Sequence, residues 1–183
     1  MTGPTQPRRV ALGLEYHGGG FAGWQAQRAP RLPTVQETLE QALSRVADHR
    51  VSTICAGRTD AGVHATAQVV HFDTGAARPE RAWVMGVNSL LPAGIAVQWT
   101  REVPGDFHAR FSATSRCYRY LMLTRPQRSA LMAGAICLAR RTLDAPRMHE
   151  AAQCLLGERD FSAFRGAGSS VTPPRRGSAR PRG

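Results

Sequence analysis

Residues 56–64 of this chain read Ala-Gly-Arg-Thr-Asp-Ala-Gly-Val-His. They join two largely apolar runs, 51–55 and 67–72, which have the length and composition of β-strands. The glycines on either side of Asp60 indicate a tight bend, because glycine adopts backbone conformations that other residues avoid. The bend places one carboxylate at the end of a strand, and Arg58 brings a positive charge to the same place. An isolated Thr-Asp-Ala-Gly is more often an ordinary turn, so the rest of the chain must decide its meaning.

The segments around this bend predict a complete succession of strands and helices. The predicted strands are 9–16, 51–55, 67–72 and 95–99, and the predicted helices begin at Thr34 and at Arg78-Pro79. Thr34 followed by Glu37 is a capping box, which marks a helix start. The order strand, helix, strand, strand, helix, strand is that of the split βαβ, or ferredoxin-like, α+β domain. We expect this domain to cover residues 9–104, after a disordered N-terminus at 1–8.

A second α+β domain is predicted to begin at residue 105 and to be incomplete. Residues 115–124 alternate like a strand that has Tyr118 and Tyr120 on one face, and 144–156 has the pattern of a capped helix. Residues 166–183 are almost entirely Gly, Ser, Pro, Ala and Arg, a composition that cannot form a core. Because GC-rich DNA read in a shifted frame gives such a composition, we expect a frameshift or premature end after residue 165. An incomplete second domain predicts poor solubility and little activity.

The charge of the chain suggests a polyanionic partner. The formal net charge is +11, every basic residue is arginine, and the chain without residues 166–183 keeps +7. Nucleic acid is the commonest partner of such a surface, although arginine without lysine is also typical of GC-rich coding. No apolar run approaches the ~20 residues that span a bilayer, and the N-terminus does not resemble a secretion signal. The four irregularly spaced cysteines predict free thiols and a cytoplasmic protein.

Taken together, the motifs of the chain resemble the tRNA pseudouridine synthase A (TruA) family. The resemblance extends over most of residues 10–165. Its motifs are Gly-Arg-Thr-Asp-Ala-Gly-Val-His at 57–64, Gly-Trp-Gln at 23–25, Gln-Val-Val-His-Phe at 68–72, Phe-His-Ala-Arg-Phe-Ser-Ala at 107–113, Tyr-Arg-Tyr at 118–120, and the segment 156–165. Beyond residue 165 the sequence no longer resembles this family.

The resemblance implies an isomerase that detaches uracil from its ribose in tRNA and rejoins it through carbon, without metal or cofactor. Asp60, Arg58 and Tyr118 are then the catalytic residues. Asp60 attacks either the ribose anomeric carbon or uracil C6, and the residues leave that choice open. Arg58 fills the space vacated by the flipped uridine, and Tyr118 stacks on the base and assists proton transfer. A homodimer acting on the anticodon stem-loop, at tRNA positions 38, 39 and 40, is also implied.

The RNA-binding residues implied by the resemblance are all aromatic or basic, apart from one alanine. They are Arg58, Arg78, Phe107, His108, Ala109, Arg110, Phe111 and Tyr118, with Arg125 and Arg128 as weaker candidates. The composition of 107–111 also suits phosphate contact and base stacking, although for this segment taken alone a strand end that packs two phenylalanines is the more ordinary explanation.

Two other functions remain open from the residues. The first is a catalytically impaired fragment that at most binds RNA through the same basic surface. The second is a metal-dependent hydrolase built on Asp60, His64 and His71, with His108 as a further candidate ligand. The spacing of these histidines matches no known metal site, so the second function is remote.

Overall fold

The computed structural model describes residues 7–25, 32–161, 163 and 176–178. The chain divides into two compact units. Unit 1 contains residues 1–121 together with 131–136, and unit 2 contains 122–130 together with 137–183. Residues 105–121, which the sequence assigned to a second domain, therefore belong to unit 1.

Unit 1 is built from one antiparallel sheet and two helices. Its strands are β1 (Arg8–Tyr16), β2 (Ile54–Cys55), β3 (Ala65–Thr74) and β4 (Ile95–Val103), and its helices are α1 (Val35–Ala47) and α2 (Glu80–Asn88). The sheet order is β2-β3-β1-β4, and every neighbouring pair is antiparallel. The elements follow one another in the order that the sequence predicted.

Helix α1 begins where the capping box predicted. The Glu37 amide donates to Thr34 Oγ1 over 3.3 Å, and the Thr34 amide donates to Glu37 Oε2 over 3.3 Å. Each residue thereby satisfies an amide that the first helical turn would leave without a partner. The apolar faces of α1 and α2 and one face of the sheet share a core, whose largest fully buried side chains include Trp24, Phe72, Leu12, Leu14, Leu39 and Leu43.

The register of the sheet separates its two faces and its two ends. Leu12 lies opposite Val70 on the face that joins the core, and Ala11 lies opposite His71 on the other face. Tyr16, at the end of β1, is paired with Ala65 on β3 and Ile95 on β4. The connection that contains residues 56–64 enters β3 at this same end.

The strand predicted over 51–55 is confirmed only for Ile54 and Cys55. Side chains of α1 accept hydrogen bonds from the amides of two of the other three residues. The Val51 amide donates to Ser44 Oγ over 2.9 Å, and the Thr53 amide donates to Glu40 Oε1 over 2.7 Å.

The strand predicted over 115–124 is wrong for most of its length, because the structure has a strand only at Met122–Thr124. Residues 113–121 have no strand partner in the part of the chain that the structure describes. The predicted start of the second helix is also shifted. Pro79 is its N-cap, and the helix runs from Glu80 to Asn88.

Unit 2 contains short elements. β5 (Met122–Thr124) pairs in parallel with β6 (Cys137–Ala139), and β7 (Gly157–Arg159) pairs antiparallel with β8 (Arg176–Ser178). Helix α3 (Ala145–Ala152) begins at Asp144, as predicted, and gives way to a 3₁₀ turn at Gln153–Leu155. Apart from 176–178, the predicted tail at 166–183 lies outside the described residues. Among the described helices, none is long and apolar enough to cross a membrane.

Candidate active site

Asp60 begins a tight turn, residues 60–63, in the connection between β2 and β3, and Arg58 lies two residues before it. The Val63 amide donates to the Asp60 carbonyl oxygen over 3.2 Å, and Gly62 has a φ of +79°, which favours glycine. Both side chains are exposed, and among the described residues neither takes part in a hydrogen bond or an ion pair. The connection therefore presents a carboxylate and a guanidinium to solvent, two residues apart.

Buried polar side chains hold the backbone on either side of Arg58. Gln68 Nε2 donates to the Gly57 carbonyl oxygen over 2.5 Å, and the Gly57 amide donates to Gln68 Oε1 over 3.4 Å. The Tyr16 hydroxyl lies 2.8 Å from Thr59 Oγ1 and 3.4 Å from Gln68 Nε2. Burial raises the pKa of Tyr16, so its hydroxyl keeps its proton at neutral pH. The Tyr16 hydroxyl beside the turn is therefore uncharged.

The Gly-Trp loop connects the turn to the start of α1. The Trp24 amide donates to the Thr59 carbonyl oxygen over 2.9 Å, and the Trp24 side chain is fully buried. The carbonyl oxygens of Gly23 and Trp24 accept from the amides of Val35 and Gln36, the first residues of α1. Gly23 has a φ of +94°, and a Cβ there would lie 2.8 Å from the Thr59 carbonyl oxygen. The loop thus anchors the turn to the helix.

His64, directly after the turn, connects it to Gly18 and Gly134. The Gly18 amide donates to His64 Nδ1 over 3.2 Å, and His64 Nε2 lies 3.0 Å from the Gly134 carbonyl oxygen. Because the Gly18 amide donates to Nδ1, the ring nitrogen that can donate to the Gly134 carbonyl oxygen is Nε2. The ring of His17 meets that of His64 edge-on, with centroids 4.2 Å apart.

The segment 105–112 covers the sheet face opposite the helices. Arg9 joins Asp73 through two contacts of 2.7 Å, and Arg9 Nη1 donates to the carbonyl oxygens of Gly105 and Phe107 over 2.6 and 3.0 Å. The Ala109 amide donates to Nδ1 of the buried His71 over 3.1 Å. Desolvation lowers the pKa of His71, which keeps that ring neutral and able to accept.

The same segment presents aromatic and basic side chains. His108 stacks on Phe111 with ring centroids 4.3 Å apart, and Phe111 is 77% exposed. The Arg110 guanidinium carbon lies 5.8 Å from the Phe111 ring centroid. Phe107 and Ala109 face the sheet instead, since Phe107 meets His71 edge-on and Ala109 is buried. The predicted RNA-binding segment thus divides into anchoring residues and exposed residues.

Arg116 joins this segment to the Asp60 turn. Its Nε and Nη2 donate to the Ala56 carbonyl oxygen over 3.0 and 2.6 Å, and Nη2 also donates to the Arg110 carbonyl oxygen over 3.0 Å. Tyr118 is 73% exposed, and its hydroxyl lies 4.0 Å from the position of a Cβ built on Gly57. The structure therefore brings Tyr118 next to the residue that precedes Arg58.

The arginines concentrate positive charge at the turn. Burial raises the pKa of the Cys55 thiol, while Arg58, Arg110 and Arg116 act in the opposite direction. All three guanidinium groups are therefore close enough to influence one buried thiol, and all three residues are exposed. Arg58, Arg110 and Arg116 thus form a basic surface beside the Asp60 turn, since Arg116 contacts the backbone of both Ala56 and Arg110. Of the predicted site residues, Arg58 and Arg110 belong to this surface, and Tyr118 lies beside Gly57.

The structure does not bring every candidate to this surface. Arg78 follows β3 at the end of the sheet opposite Asp60, where its Nε donates to the Val46 carbonyl oxygen over 3.2 Å. Arg125 and Arg128 belong to unit 2, and Arg125 donates to the carbonyl oxygens of Gln127 and Arg128.

The metal-site alternative gains no support from the geometry. His64 contacts Gly18 and Gly134, whereas His71 accepts from Ala109 on the sheet face. Among the described residues, no three His, Cys, Asp or Glu side chains are grouped so that they could hold a metal ion.

Sequence reasoning gave no role to Tyr16, Thr59 or Arg9. For Gln68, a signal was present in the sequence, because it is an amide two and four residues before the buried apolar Val70 and Phe72. Side chains at this spacing share one face of a strand, and a polar group on a core face indicates a specific partner. Arg9 gave no such signal, since an arginine at a strand start is ordinary.

A family model for tRNA pseudouridine synthase matches residues 14–112, more than half of the chain. The chain is 54% identical to tRNA pseudouridine synthase A of Haemophilus influenzae (strain ATCC 51907 / DSM 11121 / KW20 / Rd) over 159 residues, which cover 87% of this chain and 58% of the relative. It is 54% identical to tRNA pseudouridine synthase A of Aeromonas salmonicida (strain A449) over 166 residues, which cover 91% of this chain and 61% of the relative. The chain belongs to the tRNA pseudouridine synthase family.

The length of the chain differs from that of these proteins. A further relative, tRNA pseudouridine synthase A of Salmonella paratyphi B (strain ATCC BAA-1250 / SPB7), is 55% identical over 86% of this chain and 57% of its own length. The chain thus spans about three fifths of the length of the curated relatives that it matches.

Proposed function

We propose that this chain carries the site that isomerises uridine to pseudouridine in tRNA, with Asp60 as the nucleophile. The observation that carries the proposal is the solvent-facing Asp60 carboxylate, which lies two residues after the exposed Arg58 on the connection whose Ala56 carbonyl oxygen accepts from Arg116. A carboxylate can attack an electron-poor carbon, and the arginines balance the charge of the RNA that must approach it. Family membership and the names of the relatives support the same reaction.

The reaction is redox-neutral and moves one bond. Asp60 bonds transiently to either the ribose anomeric carbon or uracil C6, and this bond breaks again before the product leaves, which regenerates the carboxylate. The bond from N1 of the base to the ribose carbon breaks, the bond from C5 to that carbon forms, C5 loses its proton and N1 gains one. Tyr118 stacks on the base and takes part in the proton transfer from C5. Its exposed ring and its position beside Gly57 support this role.

The uridine must leave the helical stack before it can react, at a cost of a few kcal/mol. Arg58 enters the vacated space and holds the base outward. Arg110 contacts the RNA backbone, and Phe111 and His108 provide an aromatic surface for a base. Arg78, at the opposite end of the sheet, contacts a more distant part of the backbone. We propose the anticodon stem-loop as the substrate region.

The same proposal extends to the fold and the assembly. The order of elements and the antiparallel sheet order β2-β3-β1-β4 support a ferredoxin-like domain over 9–104. We further propose a homodimer that works in the cytoplasm.

The test measures release of tritium from uridine labelled at C5 in tRNA. Because the chain spans about three fifths of its relatives, it is assayed both by itself and fused to the remaining sequence of the Haemophilus influenzae relative. Asp60→Asn should abolish release. Asp48→Asn should not, since Asp48 is an exposed carboxylate in the left-handed conformation that asparagine tolerates. Tritium release by neither protein would overturn the proposed reaction, and full release by Asp60→Asn would overturn the role of Asp60.

A further inference from the structure

We propose that Gln68 and Tyr16 are positioning residues that fix the backbone on both sides of Arg58, and through it the directions of Arg58 and Asp60. This inference rests on the proposed function, because it assigns these buried side chains a task in the same reaction. Both residues are buried, which leaves little of either side chain for contact with RNA: Gln68 is 7% exposed and Tyr16 is 4% exposed.

The Gln68 side chain forms hydrogen bonds with both the amide and the carbonyl oxygen of Gly57. Its Nε2 donates to the Gly57 carbonyl oxygen, and its Oε1 accepts from the Gly57 amide. A side-chain amide is the group that can do both at once, as a partner strand would. Gly57 is therefore held as if it continued β2, although the strand itself ends at Cys55.

Tyr16 acts on the other side of Arg58. Its hydroxyl lies 2.8 Å from Thr59 Oγ1, while the Thr59 carbonyl oxygen accepts from the Trp24 amide. Both neighbours of Arg58 in the chain are thus fixed by buried groups, whereas the Arg58 side chain is exposed. The turn that carries Asp60 begins directly after Thr59, so its direction is set by the same contacts.

The position of Gln68 argues for a task beyond stability. It lies on the core face of β3 opposite Leu14, where an apolar side chain would be the ordinary choice. A buried amide is tolerated because Gly57 and Tyr16 satisfy it. The amide fixes the orientation of the segment that carries Arg58 and Asp60. This matters for the rate, because a displacement of about 1 Å at a reacting group can lower a rate about 100-fold.

The experiment compares Gln68→Met, Gln68→Glu and Tyr16→Phe with the parent chain and with Thr100→Val. Thr100 is a suitable control because it is equally buried on β4 and donates to the Glu80 carbonyl oxygen, away from the Asp60 turn. Each variant is made both in the chain by itself and in the fusion protein described above. Hydrogen exchange of residues 57–60, kcat and KM for tRNA are measured on each.

Gln68→Met should raise exchange at Gly57 and lower kcat about 10- to 100-fold, with KM changed less than about threefold. Tyr16→Phe should act in the same direction, and Thr100→Val should change kcat less than about twofold. Gln68→Glu should work only while its carboxyl is protonated, because the acid O–H can then donate to the Gly57 carbonyl oxygen as the amide does. The kcat of Gln68→Glu should therefore fall as the pH rises, and the parent should not show this decrease.

Unchanged exchange at Gly57 in Gln68→Met, or a kcat that matches Thr100→Val after correction for the folded fraction, would overturn the proposal. If the parent proteins release no tritium, the proposed function fails. Exchange at residues 57–60 still decides in that case whether Gln68 holds the loop.

Discussion

A Cβ atom built on Gly18 would overlap the carbonyl oxygen of Val63, three residues after Asp60. The backbone at the end of β1 and the Asp60 turn are thus in direct contact, and His64 accepts from the Gly18 amide beside that contact. Gly18–Gly20 forms a short 3₁₀ turn after β1, and its last residue, Gly20, has open space in the direction of its Cβ. The two glycines form a matched pair for testing how closely this end of the sheet is packed.

Gly18→Ala should destabilise unit 1 and displace the Asp60 turn, because the methyl group meets a backbone carbonyl that cannot rotate away. Overpacking of this kind costs about 1–3 kcal/mol. Gly20→Ala should change stability by less than about 0.5 kcal/mol. Urea unfolding of both variants measures the difference. Equal stabilities would show that the contact between Gly18 and Val63 is looser than described.

The free energy of unfolding should decrease in mild acid because of His71. Its folded pKa lies below the ordinary 6.5, chiefly through burial, with Arg9 and His108 acting in the same direction and Asp73 against them. The unfolded chain therefore binds a proton first, so stability is complete above pH 6.5 and is lost as the pH falls from there. Protonation of Nδ1 also ends its acceptance from Ala109.

His71→Asn should flatten this loss, since an asparagine oxygen can accept from Ala109 without titrating. The measurement is the free energy of unfolding between pH 7.5 and about pH 5. The exposed His49, changed in the same way to asparagine, is the control. Parallel curves for the parent and His71→Asn would contradict the assignment.

The local parts of the site could be predicted from the sequence, and the contacts between distant segments could not. The capping box at Thr34 and the turn at Asp60 depend on residues within four positions of each other, so their patterns are complete in the sequence. The contact between Tyr16 and Thr59 joins residues 43 positions apart. No local pattern encodes such a pairing.

The strand errors have the same origin. Alternation over 115–121 describes which side chains would share a face, but a strand also needs a neighbour for its backbone. In the structure Arg116 instead reaches the carbonyl oxygens of Ala56 and Arg110. Ser44 and Glu40 on α1 accept from the amides of Val51 and Thr53, where the prediction had a strand.

The pair formed by Arg9 and Asp73 should stabilise the chain at neutral pH and lose its effect in acid. The hydrogen bond from Arg9 holds the pKa of Asp73 below its usual 3.8. A lowered carboxyl pKa adds stability that is present above pH 3.8 and is lost as the pH falls through the folded value. Asp73→Asn should therefore be less stable than the parent at pH 7, with the difference closing below about pH 4 in urea unfolding.

Arg9→Gln should cost more than Asp73→Asn at pH 7, because Arg9 also donates to the carbonyl oxygens of Gly105 and Phe107. The two variants, unfolded under the same conditions, test whether the anchor of the 105–112 segment depends on the ion pair alone. An equal loss in both would show that the carbonyl contacts contribute nothing.

Salt dependence should distinguish the arginines of the basic surface from those on the helices. A protein that binds RNA phosphates releases counterions, and removing one basic side chain that binds a phosphate lowers the slope of log K against log salt by about one. Arg110 is exposed and unpaired by any carboxylate among the described residues, on the surface that carries Asp60. Arg110→Gln should therefore weaken tRNA binding and reduce the slope by about one.

Arg45→Gln, on the exposed face of α1, has the same change in net charge and should leave the slope unchanged. Filter binding between about 50 and 200 mM salt measures both. If the two variants lower the slope equally, net charge rather than this surface governs binding, and the RNA does not lie across the 105–112 segment.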